Sequence, residues 1–346
     1  MTEQPLIPQI LKKLCNRQDL SRGEMAKAVE AILAGQSNDS QIAGLLLALA
    51  VKGEVEEEVI GAVQTLRAHS LKLSLQSVPE LDTAGTGGDG HGSFNLSTTS
   101  AIIAAALGVR VAKHYNRAQT SVCGSADLME ALGLPMVHPP ALTARMLDRH
   151  GIGFLFAPTF HAATKAVAQV RRDLKVRTLF NILGPLTNPC GVKSQLIGVY
   201  DHERAKLMAR ALVQLGCVRA LLVTAESGLD EISPSGSTQV VEIRDGVIQP
   251  FYAVTPADFG APESPLAAIA GGGAAENAVI LRTILAGQAH PARPAVSMNA
   301  AAALYAAGRV ADLRAGYQLS EEILASGQVL TYLERFLAEV KEFSHV

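Results

Sequence analysis

The chain has 346 residues, 48% hydrophobic and 18% charged, with 30 Lys+Arg against 32 Asp+Glu. This length sets a prior of about two domains and buries about three quarters of the unfolded surface, enough for a core without staples. The composition excludes a wholly disordered chain, and the near-neutral charge leaves no basic excess to grip a phosphate polymer, so no nucleic-acid partner is expected. Four separated cysteines (Cys15, Cys123, Cys190 and Cys217) with no C-x-x-C pair read as reduced thiols rather than a disulfide framework or metal cluster. The N-terminus carries no signal-peptide pattern, and the apolar run Ile42 to Val51 is too short for the ~20 residues of a membrane span. A cytoplasmic protein with no membrane partner is the expectation.

The first seventy residues read as helices only. Ser21 with Glu24 forms a capping box ahead of Met25, Val29, Ile32 and Leu33, and Gly35 stops that helix. A second helix is predicted over 39–52 and a third over 55–69. The middle one is apolar nearly all round (Ile42, Leu45, Leu46, Leu47, Leu49, Val51), which suits a helix either buried in a larger core or pressed against another subunit; with only two partner helices nearby, the second is expected. After about Leu73 short β-branched strands alternate with helices. Strands are predicted at 80–84, 109–114, 154–157, 195–200 and 219–224, with helices at 97–107, 126–132, 141–150 and 203–215. Such alternation predicts a mainly parallel sheet flanked by helices. The segments 239–243 and 247–252 read as a hairpin around Asp245-Gly246. Helices return at 275–285, 298–307 and 320–343. The fold class is therefore α/β, with a small all-helical N-terminal domain (1–73) and a larger α/β domain (74–346).

Five segments could carry chemistry. Gly85-Thr-Gly-Gly-Asp-Gly90 follows a strand and precedes a helix, and Asn95-Leu-Ser-Thr98 adds hydroxyls at that helix's N-terminus. Phosphate cradling fits better than a plain turn, since four glycines in six residues let backbone N–H groups approach an anion. No G-K-[ST] follows, so a triphosphate P-loop is excluded. Lys113-His-Tyr-Asn-Arg117, at a strand's C-terminal edge, suits a polyanion about as well as it suits a solvated basic loop. Arg171-Arg-Asp-Leu-Lys175 reads on spacing alone as an ordinary basic helix end. Asp230 and Glu231 suit Mg²⁺ if their loop shares the strand-end edge, because Mg²⁺ prefers one or two carboxylates plus substrate phosphates. The run Asn181 to Pro189 reads as a hinge. No Ser/His/Asp grouping emerges.

Taken in order, these segments resemble the anthranilate phosphoribosyltransferase family. The motifs are GTGGDG (85–90), FNLST (94–98), KHxNR (113–117), GSAD (124–127) and FLFAP (154–158), followed by VR with RTLFNILGPLTNP (170–189), LDE (229–231) and AAEN (274–277). The resemblance implies a helical domain that commonly forms a homodimer, with the segment 171–189 crossing back to it. It implies that Gly85, Gly88, Asp89, Ser93, Asn95, Leu96, Ser97 and Thr98 hold 5-phosphoribosyl 1-diphosphate (PRPP). Lys113, His114, Tyr115, Asn116, Arg117, Ala118, Gln119, Thr120, Ser121 and Ser125 would join them. Gly85, Asn116 and Arg171 would face anthranilate. Ser97, Asp230 and Glu231 would bind two Mg²⁺ ions, Ser97 and Glu231 on one and both acids on the other. Lys113 and magnesium would stabilise departing pyrophosphate, with no catalytic acid or base assigned.

Two residues depart from the family pattern. Tyr115 replaces the usual Gly of KHxNR, where a phenol could narrow the acceptor channel, stack on the acceptor or point away. Ala162 stands where Pro often follows His161. Both put the acceptor, not phosphoribosyl transfer, in question. The rival readings are a paralogue using another aromatic amine, a nucleoside phosphorylase, and a nucleic-acid-binding protein on the same fold.

Overall fold

A computed structural model describes residues 6–118 and 122–344, so the expected donor residues Gln119, Thr120 and Ser121 lie outside the described residues. Four helices come first: Leu6–Cys15, Arg22–Leu33, Asp39–Lys52 and Glu56–Ala68. The capping box holds as predicted, with Glu24 N donating to Ser21 Oγ and Ser21 N donating to Glu24 Oε2. Inside this bundle the fully buried Glu58 accepts from Lys52 Nζ at 3.1 Å and from the backbone N–H groups of Leu20 and Val55. That satisfies a carboxylate which burial would otherwise penalise heavily.

Among the described residues eight strands form one sheet: β1 Leu81–Gly85, β2 Val111–Tyr115, β3 Ile152–Phe156, β4 Ser194–Gly198, β5 Arg219–Ala225, β6 Thr238–Arg244, β7 Val247–Ile248 and β8 Tyr252–Val254. Their order is β3-β2-β1-β4-β5-β6-β7, with β8 also paired to β6. The pairs from β3 across to β5 are parallel, and those made by β6 are antiparallel. Chain order runs one way from β1 to β3 and the other way from β4, so the sheet has its topological switch between β1 and β4. Ligands of open α/β sheets gather at that point, beyond the strands' C-terminal ends. Here those ends are Gly85 and its partner Gly198.

Both faces of the sheet are covered. Leu196, Leu221 and Val223 join one core with the helices Leu96–Ala106, Arg293–Ala306 and Gln328–Ser344. Their neighbours Ile197, Leu222 and Val199 join a second core with the N-terminal bundle and the helix His202–Gln214. This two-sided burial explains why the strands read as continuous apolar runs. The helices Lys165–Leu174 and Leu179–Leu186 bring Val167, Val170, Ile182 and Leu183 into that second core.

Most predicted strands and helices fall within one or two residues of their observed bounds; four elements differ more. The helix predicted at 298–307 starts five residues earlier, as Arg293–Ala306, and the strand predicted at 247–252 is two short strands, Val247–Ile248 and Tyr252–Val254. The predicted helix 320–343 is two helices, Leu313–Ala325 and Gln328–Ser344, broken at Gly327 with φ +69°. The run 181–189 is no simple hinge: Leu179–Leu186 is helical despite Pro185. Side chains satisfy the backbone there. Thr178 N donates to Asn181 Oδ1, Gln195 Nε2 donates to Pro185 O at 2.8 Å, and His161 Nε2 donates to Thr187 O at 3.1 Å. No helix among the described residues is long and apolar enough to cross a membrane.

Candidate active site

The switch point is open because it lacks side chains. A Cβ at Gly198 would stand 1.6 Å from Asp230 O, and one at Gly85 would stand 2.8 Å from Asp230 Oδ2. Two glycines at the ends of β1 and β4 thus let the loop after β5 lie across the strand ends and deliver Asp230 and Glu231. Asp230 Oδ2 accepts from Gly87 N at 2.7 Å, and Glu231 Oε1 accepts from Ser97 N at 3.2 Å at the start of the Leu96–Ala106 helix. The glycine loop, the helix N-terminus and the acid pair predicted from sequence therefore converge.

The loop itself needs its glycines, since Gly87, Gly88, Gly90 and Gly92 all have φ between +61° and +77°. It is anchored by His91 Nε2, which donates to Ser227 O at 3.0 Å, by His91 N, which donates to Asp89 Oδ1, and by Arg177 Nη2, which donates to Gly88 O. On its far side Ser93 bridges to Ala270, and Asn277 Nδ2 donates to Asn95 Oδ1 at 3.0 Å while Asn95 Nδ2 donates to Cys123 O. Asn277 belongs to the AAEN motif, and its buried amide gives that motif a structural task.

Burial raises the Asp230 carboxyl well above the usual carboxylate range, and neighbouring Asp89 adds to the rise. Burial raises Glu231 too, with repulsion from Asp230 second and Lys113 opposing. Three acids crowd one corner, and Asp89 Oδ2 is buried without a hydrogen-bond partner. A positive charge among these acids would lower Asp230 and Glu231 again. Among the described residues no three His, Cys, Asp or Glu side chains are placed to hold a metal by themselves. The donor set therefore fits Mg²⁺, which is content with one or two carboxylates and takes its remaining oxygens from hydroxyl, water and substrate phosphate.

Lys113 is not the open cation the sequence suggested. It is 1% exposed, and its Nζ donates to Thr83 O at 2.5 Å, to Thr83 Oγ1 and to Ser97 Oγ at 3.3 Å. Burial lowers it to about 8, against the pull of Asp82 and Glu231. It lies beneath the site, holding the Ser97 hydroxyl. Asp82, also buried, accepts from His114 N and from Asn188 Nδ2 at 2.8 Å, tying β1 and β2 to the turn after Leu179–Leu186.

Beyond Lys113, the KHxNR strand end divides. His114 Nδ1 donates to Gly184 O, and its ring lies 5.2 Å from that of His161. Burial keeps His161 neutral, lowering it to about 4. Tyr115 points away from the site: it is 3% exposed and edge-packed on Phe154 and Phe156, with its hydroxyl buried and unpartnered. Of the three options for this departure, pointing away is the one observed. Leu96 is likewise a core side chain, so both residues offer the site only main chain. Buried Thr98 has an unpartnered hydroxyl.

Arg117 is engaged by Asp127 at 3.0 Å and by Glu130, while Asp127 Oδ2 accepts from Ala118 N and Gly124 N. Asp127 thus ties Ala118 to Gly124; GSAD signalled it, but no spacing rule assigned that role. Ser125 Oγ donates to Asn116 O at 3.2 Å. Arg171 sits in the last turn of Lys165–Leu174 with its guanidinium 5.7 Å from the Phe180 ring, and burial lowers its pKa. No carboxylate pairs with it among the described residues. A cleft of about 450 Å³ lined by Glu242, Arg244, Tyr252, Tyr305 and Arg314 opens elsewhere and contains none of the predicted site residues.

Comparison with known proteins agrees with this geometry. Residues 77–330 match the family model described as "Glycosyl transferase family, a/b domain", and residues 8–70 match "Glycosyl transferase family, helical bundle domain". A relative from Myxococcus xanthus named anthranilate phosphoribosyltransferase is 48% identical, over 93% of this chain and 95% of its own length. One of the same name from Roseiflexus sp. is 46% identical over 96% and 97%. The crystal structure of anthranilate phosphoribosyltransferase from Thermus thermophilus superposes with a TM-score of 0.90 at 42% identity, covering 96% of this chain and 99% of that one. The Saccharomyces cerevisiae enzyme in complex with PRPP and Mg superposes with a TM-score of 0.89 at 31% identity, over 97% and 98% of the two chains.

Proposed function

The chain belongs to the anthranilate phosphoribosyltransferase family, and on that premise we propose how its residues divide the reaction. The enzyme transfers phosphoribose from PRPP to the amine of anthranilate and releases pyrophosphate. The nitrogen lone pair forms the bond to ribose C1, the C1–O bond breaks with its electrons leaving on pyrophosphate, and the amine's proton passes to solvent. Anthranilate's amine is already a nucleophile, so no residue need generate one, and the protein's task is positioning and charge.

The observation that carries this reading is the acid pair Asp230-Glu231 against the N-terminus of Leu96–Ala106 and the glycine loop. Asp230, Glu231 and Ser97 would hold two Mg²⁺ ions together with donor phosphate oxygens. Bound there, Mg²⁺ supplies positive charge that stabilises departing pyrophosphate. Lys113 acts from below by fixing the Ser97 hydroxyl and opposing the charge of Glu231. The main chain of Gly85, Gly88, Asp89, Leu96 and Tyr115, with Ser93, Asn95, Thr98, His114, Asn116, Arg117, Ala118 and Ser125, would frame the donor. Gln119, Thr120 and Ser121 complete that set by family resemblance. Arg171, partly desolvated and without a carboxylate partner among the described residues, would meet the carboxylate of anthranilate, with Asn116 and Gly85 beside it.

Residues 1–73 with the crossing segment 171–189 would act as one helical unit, and the protein as a cytoplasmic homodimer. Leu47 (39% exposed) and Val51 (75% exposed) on Asp39–Lys52 leave apolar surface outside the core for that contact. The reaction is checked by following anthranilate fluorescence with PRPP, with and without EDTA. Consumption that stops on chelation and returns with Mg²⁺ is expected; undiminished turnover in EDTA contradicts the metal assignment.

A further inference from the structure

The glycine loop is tied mostly to its own domain: Gly87 to Asp230, and His91 to Ser227. One tie comes from elsewhere. Arg177, between the helices Lys165–Leu174 and Leu179–Leu186, donates from Nη2 to Gly88 O at 2.5 Å. Among the described residues it is the one hydrogen bond from this crossing segment to loop 85–92. Its guanidinium carbon lies 4.0 Å from the centroid of the Tyr200 ring, close enough for cation–π attraction to hold the fork in place. Tyr200 in turn donates from its backbone N to Thr86 Oγ1 in the same loop. Behind this pair is a small cavity of about 90 Å³ lined by Ala50 and Glu54 of the bundle, Arg177, Thr178 and Ile182 of the crossing segment, and Tyr200 and Arg204 after β4. Glu54 and Arg204 form an ion pair across it. The donor loop, the bundle and the crossing segment meet at this one joint.

We propose that Arg177 is a positioning residue that couples the two substrate sites, its hydrogen bond to Gly88 O making the donor loop and the crossing segment that carries Arg171 move together. This rests on the assignment of the loop to PRPP and of Arg171 to the acceptor. A loop with four left-handed glycines has little stiffness of its own, so the position of the Gly88 carbonyl is set by what holds it. Donor binding that reshapes this loop pulls on Arg177 and biases the segment six residues from Arg171. By linkage, acceptor binding stiffens the loop for the donor by the same factor.

Initial rates over a grid of both substrates at saturating Mg²⁺ give the factor by which each substrate improves binding of the other. The wild type is expected to show positive interaction. In Arg177→Ala that factor should fall by about fivefold or more, towards one. The donor KM extrapolated to zero acceptor should change by less than that factor does. Tyr200→Leu, which removes the ring under the guanidinium, should shift the factor in the same direction by less. Thermal melts of both variants separate loss of coupling from loss of fold. An active wild type without interaction, or a folded Arg177→Ala variant with the wild-type factor, overturns the role of Arg177 and leaves the reaction standing. A wild type that does not consume anthranilate overturns both.

Discussion

Tyr115 shows how a single residue can look decisive in sequence and be settled by packing. On β2, residues 113 and 115 share one side of the strand, so the same alternation that buries Lys113 under Ser97 sends Tyr115 into the core. Its ring fills space between Phe154 and Phe156, and its hydroxyl finds no partner. Tyr115→Gly should therefore cost about 3–5 kcal/mol of stability, as expected for emptying a buried aromatic site. Tyr115→Phe should be neutral or slightly stabilising, because it removes an unsatisfied buried hydroxyl. Chemical denaturation of the three proteins checks this; a Phe variant as unstable as the Gly variant would show that the hydroxyl has a partner. Arg171 is the opposite case. Nothing in its spacing separates it from an ordinary basic helix end, and only its desolvation and lack of a carboxylate partner among the described residues mark it out.

At the level of elements, the strands were legible because their residues alternate between two buried faces, giving apolar runs between glycine and turn signals. Leu179–Leu186 was not, since Gly184-Pro185 outweighs local helix preference until Gln195, His161 and Thr178 satisfy the backbone from outside the segment. Those partners are distant in sequence or lie in side-chain geometry, so no window of residues reveals them. The same limit hid the break at Gly327. In Asp39–Lys52 the apolar pattern exceeds what the bundle covers: Ile42, Leu45, Leu46 and Leu49 are buried, whereas Leu47 and Val51 are not. That leftover stripe motivates the proposed dimer. Light scattering at micromolar concentration should give twice the chain mass, and should drop towards monomer in a Leu47→Glu/Val51→Glu variant; a monomeric wild type contradicts the proposal.

For the whole molecule, the site is a consequence of topology. Reversal of strand order between β1 and β4 opens a crevice, two glycines clear it of side chains, and the loop after β5 fills its floor with acids. Sequence reading located the glycine loop, the hydroxyl-rich helix start and the acid pair, but their meeting depends on a strand order that spacing does not specify. It gave no role to the supports: Thr83 beneath Lys113, Asn277 behind Asn95, and Asp127 between Ala118 and Gly124. These make no expected contact with substrate, so although GSAD and AAEN contain two of them, no spacing rule reveals what they do.

The central claim is that catalysis here is charge placed at that crevice, with Asp230 and Glu231 as its anchor. The direct measurement is kcat for phosphoribosyl transfer to anthranilate across a Mg²⁺ titration, in the wild type and in Asp230→Ala/Glu231→Ala. Turnover in the wild type that saturates with Mg²⁺, and its loss in a folded double variant at every Mg²⁺ concentration, is the predicted result. A double variant that keeps the wild-type kcat and Mg²⁺ dependence would contradict it.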